Sequence, residues 1–331
     1  MNSNKLRELW LLCSLSATIF TACTQEDLTD CPPKQVKVRY EYTLNKENTD
    51  LFGSSVKRMA VYIFDKDKLF QDSMIVDNTK DLGENQLLQL SLAPGEYTLV
   101  SCGGTLDTYS ISPLAKGETT LDDFRLHAQQ RQTSATKSVA TINQLSDLYW
   151  GTLTKLTVAS TSESVEQTVP LVKMTNTIKV NITHATSRAP EEASALNVYC
   201  TGYNGQHIWN GTPHENAYQL KYLSEQTNVS TSKVEAEMKI LRLIKEYDVN
   251  KPTVLSIEDA STGNIIYEID IIDQLLKLQD RNGNALFKTQ EDLDREDTYT
   301  FDIQINDKDN KLSISVQVNG WITEVIDKPF I

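Results

Sequence analysis

Few residues of this chain have both the type and the spacing to do chemistry. The clearest is Cys23, in the run Phe20-Thr21-Ala22-Cys23-Thr24-Gln25-Glu26-Asp27. Small residues directly before a cysteine are the pattern of a bacterial lipoprotein cleavage site, where the thiol is acylated and the cysteine becomes the new N-terminus. Phe20 stands where leucine is usual, and an ordinary signal peptide cut near Ala22 is the alternative. Residues 1–22 read as the signal: Lys5 and Arg7, then an apolar run from Leu9 to Phe20 broken only by Ser14, Ser16 and Thr18. A run of about twelve residues is too short to cross a hydrocarbon core of about 30 Å. Each buried methylene contributes about 0.8 kcal/mol and one acyl chain binds only marginally, so several chains are needed for a permanent tether. Thr24 follows the cysteine, so an aspartate retention signal for the inner membrane is missing. Glu26 and Asp27 are either a surface-export signal or part of a solvated linker.

The remaining reactive groups are sparse. Cys13 leaves with the signal, which leaves Cys31, Cys102 and Cys200 beside the acylated residue. In an oxidising compartment two of three tend to pair, and Cys31 with Cys102, both in the first half, is the expected disulfide. Cys200 lies in an alternating strand pattern and reads as a small buried hydrophobe. His127, His184, His207 and His214 match no metal spacing and read as solvated loop histidines. Asp65/Asp67 and Asp307/Asp309 resemble fragments of calcium loops but read more simply as acidic hairpin turns. No phosphate loop or nucleophile elbow is present, and Ser101 before Cys102-Gly103-Gly104 reads as a strand ending in a turn. Trp150, Trp209 and Trp321 are scattered and read as core packing rather than sugar stacking. No catalytic residue, cofactor or metal is expected.

The elements that must carry these residues are strands. Val36, Val38, Tyr40 and Tyr42 alternate with Lys37, Arg39 and Glu41, which is the period of a half-buried strand. Further strands are expected at Met59–Phe64, Leu87–Leu92, Glu96–Cys102 and Leu153–Val158, with turns at Asp65–Lys68 and Ala93-Pro94-Gly95. Residues 117–148 are polar and read as an excursion loop with a short helix at Leu121–Leu126. Val234, Ala236, Met238 and Ile240 alternate with charged residues; helical spacing is also present there, and the β context favours a strand. Thr253–Ile257 and Ile265–Ile269 form a hairpin about Gly263-Asn264, Ile271–Leu278 a short amphipathic helix, and Tyr299–Ile305 with Leu312–Val318 a last hairpin before a short tail. Ile178-Lys179-Val180 echoes Val36-Lys37-Val38, and Asn197-Val198-Tyr199 echoes Ala60-Val61-Tyr62, which suggests two copies of one β-rich module.

These patterns give a mostly-β, sandwich-type architecture. The organisation is a lipoprotein signal peptide (1–22), a lipid-anchored tether (23–33), an N-terminal β-sandwich domain (34–167) and a C-terminal one (168–331). The full chain of 331 residues carries 32 basic and 45 acidic side chains. Removal of Lys5, Arg7 and Glu8 with the signal leaves 309 residues with 30 basic against 44 acidic, a net charge of −14. That balance argues against nucleic acid or anionic lipid as a partner.

Several runs taken in order resemble the FimB-type fimbrial anchor lipoproteins. They are Asp30-Cys31-Pro32-Pro33 leading into Val36–Tyr40, Val61-Tyr62-Ile63-Phe64-Asp65, Leu92–Tyr97, Tyr149-Trp150-Gly151, Val169–Met174 and the closing strand with Trp321. Lys173 stands where arginine is usual, and Asp67-Lys68 lacks the glycine common in that turn. The resemblance implies two transthyretin-like β-sandwich domains in tandem with few short helices. It implies an outer-membrane, surface-exposed protein that holds the base of a fimbria and limits its length and shedding. The implied partner is a fimbrial shaft (major pilin) subunit, bound by strand addition to a sheet edge, with the membrane engaged through the N-terminal lipid. A surface glycan-binding lipoprotein is the alternative.

Overall fold

The computed structural model describes residues 33–77, 87–129, 140–142, 144–161, 164–186, 195–227, 229, 233–245, 250–307 and 311–329. Strands dominate. The first half carries β1 (Lys34–Glu41), β2 (Arg58–Phe64), β3 (Phe70–Asp77), β4 (Leu87–Leu92) and β5 (Gly95–Gly104), then β6 (Tyr109–Ile111), β7 (Arg125–Ala128) and β8 (Ala140–Ile142), and finally β9 (Leu148–Val158), β10 (Ser164–Pro170) and β11 (Val172–Lys173). The second half carries β12 (Thr175–Thr186), β13 (Leu196–Gly202), β14 (Gln206–Ile208), β15 (Leu220–Leu223), β16 (Glu225–Thr227), β17 (Lys233–Leu241), β18 (Val254–Asp259), β19 (Ile265–Asp270), β20 (Thr298–Asp307), β21 (Lys311–Val318) and β22 (Trp321–Pro329). The helices are short: α1 (Phe52–Ser55), α2 (Ile271–Lys277) and α3 (Gln290–Asp294).

The alternation read along the chain is the alternation of faces. Val36, Val38 and Tyr40 on β1 point into a core, as do Val234, Ala236, Met238 and Ile240 on β17, so the strand reading of that segment holds over the helical one. The expected hairpin of β18 and β19 turns at Gly263, whose φ of +72° suits a residue without a Cβ. Its companion at Asp65–Lys68 turns through Lys68 at φ +62°, with Asp65 Oδ1 accepting from the amides of Asp67 and Leu69. The tail after the last hairpin is a further strand, β22, paired to β21.

Topology shows the two copies of one module. In the first, β1 pairs antiparallel with β4 and parallel with β10; in the second, β12 pairs antiparallel with β17 and parallel with β20. The facing sheets run β9-β5-β2-β3 and β19-β18-β13-β15 in the same order. The molecule is thus two β-sandwiches in tandem. Among the described residues the first pairs a three-stranded sheet (β10-β1-β4) with a five-stranded one (β11-β9-β5-β2-β3). The second adds β16 outside β17, β21 and β22 outside β20, and β8 outside β15.

The excursion loop expected at 117–148 is a structured insertion. Leu121–Asp123 form one 3-10 turn, not a helix to Leu126, and β7 follows at once. β7 pairs with β6 and with β14 of the second sandwich, and β8 runs parallel to β15. Phe124 is buried against Tyr62, Phe64 and Trp150, so the insertion packs on the outer face of the first five-stranded sheet. One core lies between the two first-domain sheets; the other fills the second sandwich and runs through the insertion to Phe64, Val100 and Cys102. The boundary at 167/168 falls inside β10, a polar strand exposed on its outer face. The chain stays with the first sheets through β11 and crosses at the buried Met174. A polar network locks the crossing. Lys173 bridges Asp147 at 3.7 Å and Asp297 at 3.4 Å, and Lys46 pairs with Glu296 at 3.2 Å.

Candidate partner-docking edges

Cys23, Glu26, Asp27 and Cys31 lie outside the described residues. The chain enters the structure at Pro33 and goes straight into β1, whose first residue, Lys34, sits opposite Leu92 at the end of β4. The described chain therefore begins on the central strand of the three-stranded sheet. Among the described residues no helix is long and apolar enough to cross a membrane.

Edges are where this fold offers chemistry, because an edge strand carries a row of unpaired amides and carbonyls. Among the described residues four strands lie at the edges of the first sandwich's sheets, β4, β10, β3 and the two-residue β11, and the start of β3 is bonded at Phe70 to Thr119 and Gly117 of the insertion. The facing sheets are aligned by contacts of their inner strands. Tyr40 on β1 meets Ser101 on β5 through a 2.9 Å hydroxyl hydrogen bond, and β10 packs beside β9. Val76 of β3 is buried in the core between these sheets. On β3, Met74 shares a face with Val61, which is buried in the first core, yet Met74 is 37% exposed. Its neighbour Ile75, on the opposite face, is 64% exposed.

Side chains that sequence spacing left in solution are partly inside. His207 is only 1% exposed on β14, held against Leu126 of β7 and Pro213. Neither ring nitrogen has a hydrogen-bond partner among the described residues. Burial, helped by the charge of Arg242, pushes its pKa down to about 3. The solvated-loop reading is therefore wrong for His207, because a three-residue strand has no periodic signal and its cover comes from an insertion some eighty residues earlier. His127 is also on a strand, β7, with Nε2 3.0 Å from Ser112 Oγ. His214 does lie in a loop, its Nδ1 accepting from the Asn216 amide. Arg242 itself makes a fork to Asp294, Nε to Oδ1 at 2.6 Å and a terminal nitrogen to Oδ2 at 2.5 Å. It lines a cavity of about 430 Å³ with Tyr203, Lys251 and Asp273.

Cys102 and Cys200 are buried, and burial raises both thiols well above their ordinary value, so neither is a nucleophile. Ser101 is spent on Tyr40. The fold brings two of the scattered tryptophans together: Trp150 is buried and its indole nitrogen donates to the Trp209 carbonyl at 3.2 Å. Trp321, 36% exposed at the start of β22, opens onto a groove of about 600 Å³ with Phe287, Glu296 and Asn319.

Residues 28–327 match the family described as fimbrillin-A associated anchor proteins Mfa1 and Mfa2. A curated relative, the minor fimbrium anchoring subunit Mfa2 of Porphyromonas gingivalis, is 22% identical over 309 residues, 90% of this chain and 87% of that one. The solved fimbrial anchor protein Mfa2 of the same organism superposes with a TM-score of 0.70 at 21% identity, covering 89% of this chain and all of its own. A putative polysaccharide binding protein from Bacteroides thetaiotaomicron gives a TM-score of 0.71 at 22% identity over 87% of this chain and 97% of that one. At these identities the two structures speak for the shared fold.

Proposed function

Because this chain belongs to the family of fimbrillin-A associated anchor proteins, with a match that spans residues 28–327, we propose that it is a lipoprotein that holds the base of a fimbria at the outer membrane. Cys23 carries the lipid, and the acidic pair Glu26 and Asp27 directs the chain to the cell surface. The partner is a fimbrial shaft subunit, captured by strand addition: main-chain hydrogen bonds to an open edge give affinity, and alternate side-chain pockets give specificity. Its hold on the base limits fimbrial length and shedding. The role is structural rather than catalytic. The family match carries this reading, and the open edges of the first sandwich support it.

Pull-down from membranes of wild-type and Cys23→Ala cells tests it. A shaft protein is expected in the wild-type capture, and fimbriae shed into the medium when Cys23 is lost. Fimbriae that stay cell-bound in the variant overturn the anchoring role. The groove beside Trp321 favours a second reading, a surface glycan-binding lipoprotein. Glycan-array binding that is lost in Trp321→Ala, with no shaft protein in the capture, would establish that reading instead.

A further inference from the structure

We propose that the groove beside Trp321 is a subsite for an uncharged glycan and that it works alongside the anchoring role; this rests on the glycan reading above and names its ligand class. The groove, of about 600 Å³, has the size of a small-ligand cleft, roughly 300–1,000 Å³. Its walls are pinned from within. Asn319 and Gly320 turn the chain into β22 with φ of +49° and +84°. The Asn319 amide donates to the Thr300 carbonyl, and Asn319 Oδ1 accepts from the Thr300 amide, both at 2.8 Å. Trp321 is therefore presented from a fixed corner. Phe287 of the floor packs on the buried Tyr299 ring, with centroids 5.8 Å apart. Asp292 closes a capping box with Thr289 at the start of α3. A ligand entering such a site has little of the protein left to order.

Charge on the rim argues against an ionic ligand. Its described charged residues are two cations, Lys46 and Arg295, and two carboxylates, Asp292 and Glu296. All four are engaged within the chain. Lys46 pairs with Glu296 at 3.2 Å and Arg295 with Glu291 at 2.6 Å, while Asp292 Oδ2 accepts from the amides of Lys288 and Thr289 at 2.8 and 2.7 Å. The apolar surface argues against a peptide side chain. Phe287 is only 8% exposed, so the floor is already covered, and the apolar group left open is the Trp321 ring. Around that ring are the hydroxyls of Thr298 and Thr300 and the amide nitrogen of Asn319, a donor whose partner oxygen is taken by Thr300. A sugar ring complements this set. Its C–H face is drawn to the electron-rich face of the indole, and the hydroxyls at its edge both donate and accept.

The place of the groove lets the two roles share one chain. β1 carries the chain from Lys34 to Glu41, about 26 Å at ~3.3 Å per residue, and Lys46 follows in the loop at its far end. The groove thus lies at the opposite end of β1 from Lys34. Apart from Lys46, its described lining comes from the second sandwich, and none of it belongs to a strand of the first. A glycan on Trp321 and a shaft segment on a strand edge of the first sandwich occupy different surfaces.

The test uses the full lipidated chain, purified from membranes in detergent and titrated on immobilised oligosaccharides. One set is uncharged, of gluco-, manno- and galacto-oligosaccharides; the other is acidic, carrying uronic or sialic acid. Binding to the uncharged set is expected, and salt should leave it unchanged. Trp321→Ala should weaken it at least about tenfold and Trp321→Phe less. Ile75→Ala, at an exposed apolar residue of the first sandwich, should stay within about twofold. All three variants should keep cooperative thermal melts and undiminished capture of the shaft protein. Binding that survives Trp321→Ala overturns the assignment to this groove. Binding confined to the acidic set, or lost as salt rises, overturns the uncharged class and leaves the glycan reading standing. No oligosaccharide bound by the wild type sinks the glycan reading itself. Shaft capture lost with Trp321→Ala marks the groove as a protein-docking site and overturns the proposal. A wild-type chain that binds glycan but captures no shaft protein removes the anchoring role and leaves the subsite.

Discussion

His207 gives the sharpest thermodynamic consequence of this fold. Its pKa is about 3 when folded, against 6.5 for an unperturbed histidine. The folded group binds its proton less tightly than the unfolded one. Its neutral form therefore supports the fold fully above pH 6.5, and that support drains away as pH falls through the window down to about 3. At about pH 5 the unfolded histidine is almost wholly protonated and the folded one almost wholly neutral, so the loss relative to neutral pH is roughly 2 kcal/mol, rising to about 3 kcal/mol near pH 4. The first figure is set by the unfolded value alone and is insensitive to the depth of the folded shift. Urea unfolding across this range, run on wild type and His207→Phe in parallel, isolates the effect, because every other titrating group is common to both. The two stability curves should diverge below pH 6.5, the wild type falling faster by about 2 kcal/mol at pH 5. Parallel curves, or a His207 ring that titrates near 6.5 by NMR in the folded protein, would refute the argument that buried, unpartnered nitrogens hold this side chain neutral.

Asp294 is 4% exposed and is held by the Arg242 fork. Arg242→Met should cost about 3–5 kcal/mol in urea melts by stranding a buried carboxylate, and adding Asp294→Leu should recover most of it. At Gly151, a Cβ would lie 2.6 Å from both Leu171 and Val169, so Gly151→Val should lose about 1–3 kcal/mol through overpacking, seen as a lower melting temperature. A fragment beginning at residue 168 lacks β7 and β8, and with them Phe124, Leu126 and Ile142 of the second core. It should show no cooperative near-UV CD transition, whereas a fragment beginning at Tyr109 should regain one.

Strand existence and strand face were legible in the sequence, because period-two alternation is a local property. Val36-Val38-Tyr40 and Val234–Ile240 needed nothing from elsewhere in the chain to declare which side was wet. Turn chemistry at Asp65–Lys68 and Gly263-Asn264 was local too, and the echo of Val36-Lys37-Val38 in Ile178-Lys179-Val180 marked two strands that hold equivalent places in the two sandwiches. The lipid-attachment reading of Cys23 is likewise a matter of adjacent residues.

What covers a face is not local, and only the tertiary structure decided it. β7 and β8 are three or four residues long, too short for a period, and their partners β14 and β15 lie some eighty residues away. Their pairing turned an apparent loop into part of the second sandwich and turned His207 from a loop residue into a core one. The same limit applies to the edge of β4. Leu88, Leu90 and Leu92 spell a strand in any context, but whether a further strand lies beside them depends on the whole sheet. The sequence carries the local pattern of two similar sandwiches and of a cysteine placed for lipid attachment; tertiary pairing decides which strands meet and that β16 lies along the outer edge of β17.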